Sequence, residues 1–318
     1  MLRITISLFI VFILIACSHE PKTQKVTIAI NPWPGYELLY LAENKGFFKD
    51  IELNLALAQT ASLSDGQRAY ISGRVDGFAS TIVEAVQAQE FGGDPLNVVL
   101  LADYSNGGDV ILSQAPYQSL SDLKGKKIGC EVSSLGIYIL ARALTVYGMT
   151  LDDVEIINVE QGNALHSLNA GQIDAMVTYP PYSFEILNDS HQVNHRIFTT
   201  AEIPNEILDT ISISKKVVSE NPDLVPKLHQ AWQMAYEYLK QHPVEAVKLM
   251  AEREKISETE FNQSLTDIYL LNNVEQKNLL KNQEDLISLA QSVCDTLNKA
   301  AAFNSSCDHI KTLFYSGI

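Results

Sequence analysis

One short phrase occurs twice in this chain of 318 residues. Gly73-Arg74-Val75-Asp76-Gly77-Phe78-Ala79-Ser80-Thr81 is echoed by Gly171-Gln172-Ile173-Asp174-Ala175-Met176-Val177-Thr178-Tyr179, with the two aspartates 98 positions apart. Each copy follows a helix-like stretch, enters through Gly-x-[Val/Ile]-Asp and becomes an apolar strand ending in hydroxyls. The surroundings repeat as well. Ile51 to Leu55 answers Val154 to Asn158, and Val26 to Asn31 with Gly35 answers Lys127 to Glu131 with Gly136. A duplicated α/β unit implies two similar lobes facing each other, and a cleft between lobes is where a small ligand normally sits.

The N-terminus points to export. Met1-Leu2-Arg3 is a short positive start, Ile4 to Ile15 is apolar, and Leu14-Ile15-Ala16-Cys17 follows. That order describes a secretory signal over residues 1–16. The apolar run is shorter than the roughly 20 residues of a membrane span; the alternative is an uncleaved anchor helix. Leu-x-Ala-Cys resembles the bacterial lipobox. The resemblance implies cleavage before Cys17 and lipid on its thiol and amine, with residues 17–24 as a tether. The protein is then expected in the bacterial cell envelope, facing the periplasm and touching the membrane through its lipid alone.

Net charge is −15 at pH 7. Nucleic acid and anionic lipid surfaces both require Lys/Arg patches, so neither is an expected partner. Cys130 lies in an apolar stretch and reads as a small buried residue. Cys294 and Cys307 are free to bridge in an oxidising compartment, but their spacing alone leaves the pairing open. No Cys/His cluster has zinc spacing, so no metal or other cofactor is expected.

Strand-like and helix-like stretches alternate from Val26 to Ser214, which argues for mostly parallel sheets flanked by helices. Gly107-Gly108 is a candidate crossover, and Thr210 to Ser214 a return strand. This divides the chain into 25–108 (lobe 1, first part), 109–209 (lobe 2) and 210–318 (return to lobe 1 with C-terminal helices). Everything after Asn221 reads as helix, including Glu258 to Leu270; Leu228, Trp232, Ala235 and Leu239 share one face of the stretch Leu224 to Gln241.

At Asn31-Pro32-Trp33-Pro34-Gly35-Tyr36, then Leu41-Ala42-Glu43-Asn44-Lys45-Gly46-Phe47-Phe48, the chain resembles the periplasmic solute-binding proteins of ABC importers. Within them it is similar to the nitrate/sulfonate/taurine and thiamine-pyrimidine-precursor branch. Gly73-x-Val75-Asp76, Leu123 to Gly129 and Gly171-x-Ile173-Asp174-Ala175 extend the likeness over nearly all of the chain after the leader. It implies a two-lobed type II periplasmic-binding fold that closes on ligand, an ABC permease and ATPase as partners, and a monomer. One departure stands out. Relatives carry an acidic residue after the aromatic of the second repeat, whereas Tyr179 is followed here by Pro180-Pro181-Tyr182.

Ligands of open parallel sheets bind beyond the carboxyl ends of strands. Trp33 and Tyr36 are therefore candidates to stack on a ring or cation, the alternative for Trp33 being packing between lobes. Asp109 and Glu131 are candidates to accept hydrogen bonds from an amine, or else are solvated charges. Ser80 and Thr81 are contacts or strand-end caps, and Tyr179 mirrors Thr81. Ser133 and Ser134 are placed to cap a helix starting at Leu135, whose free N–H groups make an anion site. Glu37 and Glu84, further along helices, are expected to be solvated. Asp76 and Asp174 sit at the wrong end of their strands for catalysis and read as structural.

The cleft loops carry carboxylates and no Arg or Lys. This favours a neutral or cationic nitrogenous solute such as an amine or aminopyrimidine; a small anion such as nitrate or sulfonate, held by amides alone, is the alternative. A second role for the same fold is sensing, with the ligand state passed to a membrane kinase or cyclase. A fungal relative in the thiamine branch is an enzyme that uses a histidine and a cysteine-rich site. No such cluster, P-loop, Gly-x-Ser-x-Gly or His-Glu-x-x-His occurs here, so catalysis is not expected.

Overall fold

The computed structural model describes residues 25–317. The expected leader, the lipid site Cys17 and the tether lie outside them. The strands in chain order are β1 (Val26–Ile30), β2 (Leu55–Gln59), β3 (Gly77–Thr81), β4 (Leu96–Ser105), β5 (Val110–Gln114), β6 (Lys127–Cys130), β7 (Glu155–Asn158), β8 (Ala175–Thr178), β9 (Asn194–Thr199), β10 (Leu208–Ser214) and β11 (Ile268–Leu270). They form two sheets, ordered β11-β4-β10-β3-β1-β2 and β7-β6-β8-β5-β9.

Without the edge strand β11 the two sheets share one plan. In each, three parallel strands (β2-β1-β3 and β7-β6-β8) are followed by one antiparallel strand, β10 or β5. Both antiparallel strands begin just after the chain has crossed from the other sheet, so each lobe is completed by chain arriving from its partner. The repeated aspartates have the same task in both copies. Asp76 Oδ2 accepts the Thr27 N–H at 2.7 Å and Asp174 Oδ2 accepts the Lys127 N–H at 2.9 Å. The aspartates' own N–H groups donate back to Thr27 and Lys127 carbonyls, each at 2.8 Å. Every such pair locks the start of β3 or β8 to the start of its neighbour, far from the cleft ends.

The two crossings run side by side. Ser105 and Thr200 share a hydroxyl hydrogen bond of 2.7 Å, the Gly107 N–H donates to Thr200 Oγ1 at 2.9 Å, and the Thr200 N–H donates to the Asp109 carbonyl at 3.0 Å. Helices 224–241, 243–254, 258–266, 273–281 and 284–299 follow the return strand. In the first of them Leu228, Trp232 and Ala235 are buried, and Trp232 Nε1 donates to the Leu271 carbonyl at 2.8 Å.

The stretch expected as continuous helix from Glu258 to Leu270 is corrected. It ends at Thr266, and β11 pairs antiparallel with residues 103–105 of β4. The outer edge of β4 offers unpaired backbone groups there, and Ile268-Tyr269-Leu270, led by two β-prone residues, satisfies them. Cys294 and Cys307 are joined by a disulfide with Cα atoms 6.5 Å apart, and Cys130 is a free, buried thiol.

Candidate functional site in the cleft

The turn Pro32-Trp33-Pro34-Gly35 leads from β1 into helix 37–44 and sets the Trp33 ring at the cleft. Its indole N–H lies 3.2 and 3.3 Å from the two oxygens of Asp103, near the end of β4. Glycine is needed at 35 because a Cβ there would collide with the Asp103 carboxyl and stand 2.7 Å from Trp33 Nε1. From the opposite sheet, just after β8, Tyr179 meets Trp33 edge to face, and Tyr182 meets Tyr179 in the same manner at 5.8 Å. The Tyr182 hydroxyl then donates to the Ala61 carbonyl at 2.6 Å. An aromatic row thus bridges the two lobes, and both Trp33 and Tyr179 are buried in it.

The helix start at Leu135 is filled from across the cleft. Ser134 occupies the N-cap position, but its hydroxyl caps nothing in its own helix. It donates instead to Glu84 Oε1 at 2.5 Å, and the Leu135 N–H donates to the same oxygen at 2.6 Å. Glu84 Oε2 accepts from the Thr81 N–H at 2.8 Å and the Thr81 hydroxyl at 2.7 Å. The expectation that Glu84 is solvated is therefore corrected: it is fully buried between lobes. Gly136 lets the helix start pack tightly against the end of β6 in its own lobe, since a Cβ there would lie 2.9 Å from the Glu131 backbone N. Ser133 is half-buried beside this position.

Asp109, Glu131 and Asp209 feel the charge of Glu84, Asp103 feels that of Asp109, and all four are buried. Glu131 Oε1 accepts from Ser64 Oγ of the other lobe at 3.0 Å. Asp109 Oδ2 has no partner. Burial pushes the Asp109 carboxyl up to about 7, and the charge of Glu84 adds to this. Glu131 is raised to about 7 for the same two reasons, burial first. Asp103 and Asp209 are held well above the carboxylate range by burial and by neighbouring carboxyls. Among the described residues, no Lys or Arg forms an ion pair with any member of this group.

Other expected contacts are drawn into the first lobe. The Tyr36 hydroxyl donates to Asp209 at 2.6 Å and lies 3.0 Å from the Ser80 carbonyl, so its ring is core rather than a stacking platform. Ser80 Oγ is engaged by Thr210 and Ser212 of β10, each at 2.8 Å. Thr81 Oγ1 accepts the Val83 N–H at 3.0 Å while donating to Glu84, which makes it a helix cap. Glu37 was expected at the surface and is instead fully buried, 2.8 Å from Arg253, whose guanidinium lies 3.6 Å over the Tyr40 ring.

Two of the spaces between the lobes bear on ligand binding. An inner remnant of about 10 Å³, enough for a water molecule, is lined by Asp109, Glu131, Ser134, Gln161 and Tyr179 among others. An outer chamber of about 320 Å³ opens at the mouth between Pro32, Thr60 and Ala61 on one side, Pro181 and Tyr182 on the other, and Arg253, Glu254 and Lys255 from the C-terminal helices, so the expectation of a cleft without Arg or Lys is corrected at its mouth. Glu254 is buried next to Glu37 and the Trp33 backbone, and burial first, then the Glu37 charge, holds its carboxyl well above the usual carboxylate range. Sequence reasoning missed it: Arg253-Glu254-Lys255 reads as an ordinary charged helix end, and only the return of the chain places it at the cleft. A larger depression of about 710 Å³ lies along helix 224–241, but no residue of the second sheet lines it. The chemistry is concentrated in the cleft.

Two sheets of matching order, joined by paired crossings around a closed cleft, define the periplasmic-binding-protein fold. The alkanesulfonate-binding protein SsuA from Xanthomonas axonopodis pv. citri, solved bound to MOPS, has it, with a TM-score of 0.76 at 16% identity over 91% of this chain and 97% of that one. The chain belongs to the NMT1/THI5 like family, whose model matches residues 33–246. A 4-amino-5-hydroxymethyl-2-methylpyrimidine phosphate synthase of Candida albicans is 30% identical over 240 residues, 71% of this chain and 70% of that protein. A protein of Brucella abortus named as a binding protein is 27% identical over 149 residues, 46% of this chain and 47% of its own length. The chain thus spans about half the length of several curated relatives it matches.

Proposed function

We propose that this chain is a solute-binding lipoprotein. It captures a small neutral or cationic nitrogenous molecule between its lobes and delivers it to an ABC permease and its ATPase. Acylated Cys17 holds it as a monomer on the membrane, facing the periplasm. The observation that carries the ligand class is the buried, unpartnered carboxyl oxygen Asp109 Oδ2 inside the cleft, with the buried Glu254 carboxyl at its mouth and aromatic rings beside them. Such oxygens are costly to leave unpaired. An amine, amidine or aminopyrimidine supplies N–H donors or positive charge and offsets that cost.

The outer chamber has the volume of a small-ligand pocket. The Candida relative is named for a pyrimidine product, which agrees in chemical class. Binding rather than turnover is favoured because the cleft presents carboxyls, hydroxyls and rings engaged with one another rather than a nucleophile beside a base.

The test is a thermal-shift screen of the mature chain against amines, aminopyrimidines, alkanesulfonates and nitrate. A ligand that binds the folded state raises the melting midpoint by mass action. A rise with an amine or aminopyrimidine supports the reading, and no shift with any class removes it.

A further inference from the structure

The N-terminus of helix 135–146 already holds an anion, and that anion is part of the protein. Glu84 arrives from the opposite lobe and takes two donors there, Ser134 Oγ and the Leu135 N–H, at 2.5 and 2.6 Å. Its other oxygen takes two donors from Thr81. Each oxygen takes one backbone N–H, which can only donate, and one hydroxyl, which is free to donate as well, so both oxygens are set to accept. Helix starts attract negative charge through their free N–H groups and dipole, and here that attraction is satisfied internally. The position is part of the ligand cleft. Asp109 Oδ2 and Gln161 Oε1 lack partners, belong to residues more than nine-tenths buried, and line the same inner remnant as Ser134 and Gly136.

We infer that Glu84 is a specificity-determining residue: it occupies the anion position of the cleft and bars anionic solutes from it. This rests on the solute-binding reading above and narrows it. A sulfonate or nitrate entering the cleft must either displace Glu84 from its donors or sit beside its oxygens and the acceptor oxygens of its acidic neighbours. A nitrogenous solute leaves Glu84 in place and addresses the free acceptors. The selectivity then comes from a repulsive element as much as an attractive one.

The test is calorimetric titration of the wild-type chain, Glu84→Gln and Glu84→Ala with sodium methanesulfonate and with sodium nitrate. Wild type is expected to take up neither anion. The variants are expected to bind at least one of them with an affinity roughly tenfold or more above wild type, the factor that about 1.4 kcal/mol supplies. Equal or tighter anion binding by wild type, or folded variants that gain nothing, overturns the inference. Circular dichroism establishes folding; if neither variant folds, the wild-type titration decides alone, refusal of both anions supporting the inference and uptake of either overturning it. The two readings fail separately. A wild type that binds nitrate keeps solute binding and loses the role of Glu84, whereas anion uptake by Glu84→Gln with no nitrogenous solute bound by wild type does the reverse.

Discussion

Trp33 and Tyr179 meet edge to face across the cleft, with ring centroids 6.0 Å apart and planes at 82°. Trp33 belongs to the turn after β1, and Tyr179 follows β8 in the second repeat. Aromatic contacts at buried centres carry a disproportionate share of binding energy. Tyr179→Ala is therefore expected to weaken solute binding by roughly 2 kcal/mol or more, about thirtyfold, as read by titration. Trp33→Phe keeps the apolar contact but strips Asp103 of its indole donor. Stability should fall by about 1–3 kcal/mol, the cost of an unsatisfied buried polar group, measured by urea unfolding.

The acidic cleft makes stability depend on pH in a defined direction. Asp109 and Glu131 have unfolded values of about 4 and sit at about 7 in the fold. Between those values the folded chain binds more protons than the unfolded one. Their contribution is thus fully present below about pH 4 and is lost as pH rises through about 7. The ligand-free melting midpoint should fall between pH 5 and pH 8, and Asp109→Asn with Glu131→Gln should flatten that fall. Affinity for a cationic solute should rise over the same window, because the ionised carboxyls are the better acceptors. An unchanged midpoint across this range would count against the buried acidic cluster.

Arg253 compensates Glu37 inside the first lobe at 2.8 Å while lying over Tyr40. Removing one partner of a buried pair leaves a charge unmatched and costs about 3–5 kcal/mol. Arg253→Ala should show that loss in denaturant unfolding. Arg253→Met with Glu37→Gln should recover part of it, since Glu37 no longer requires a counter-charge while the buried Glu254 still loses the favourable charge of Arg253.

The disulfide Cys294–Cys307 links residues 13 apart, tying the last long helix to the segment after it. A loop of that size restricts the unfolded chain by about 3 kcal/mol. Dithiothreitol should lower the urea midpoint of wild type accordingly and leave that of Cys294→Ser with Cys307→Ser unchanged.

The two-sheet plan was legible because it is written in short-range signals. The Gly-x-x-Asp repeat fixes the entries of β3 and β8, and alternating strand and helix patterns supply the rest. Trp33, Asp109, Glu131, Ser134 and Tyr179 were all read as cleft residues from their places at strand ends, and the structure brings them together there. Tyr36 and Ser80 share that placement along the chain, yet their hydroxyls are taken by Asp209 and by β10. Those partners come from a strand about 130 or more residues away, and local sequence carries no trace of them. Glu84 and Glu254 were illegible for the same reason. A glutamate in a helix is ordinarily solvated, and only the opposing lobe or the returning chain buries these two.

The most direct measurement is a pair of calorimetric titrations at pH 8 on one preparation of the mature chain, one with an aminopyrimidine and one with methanesulfonate. The expected result is saturable uptake of one aminopyrimidine per chain and none of the sulfonate. Uptake of methanesulfonate with no response to aminopyrimidines or amines would contradict it.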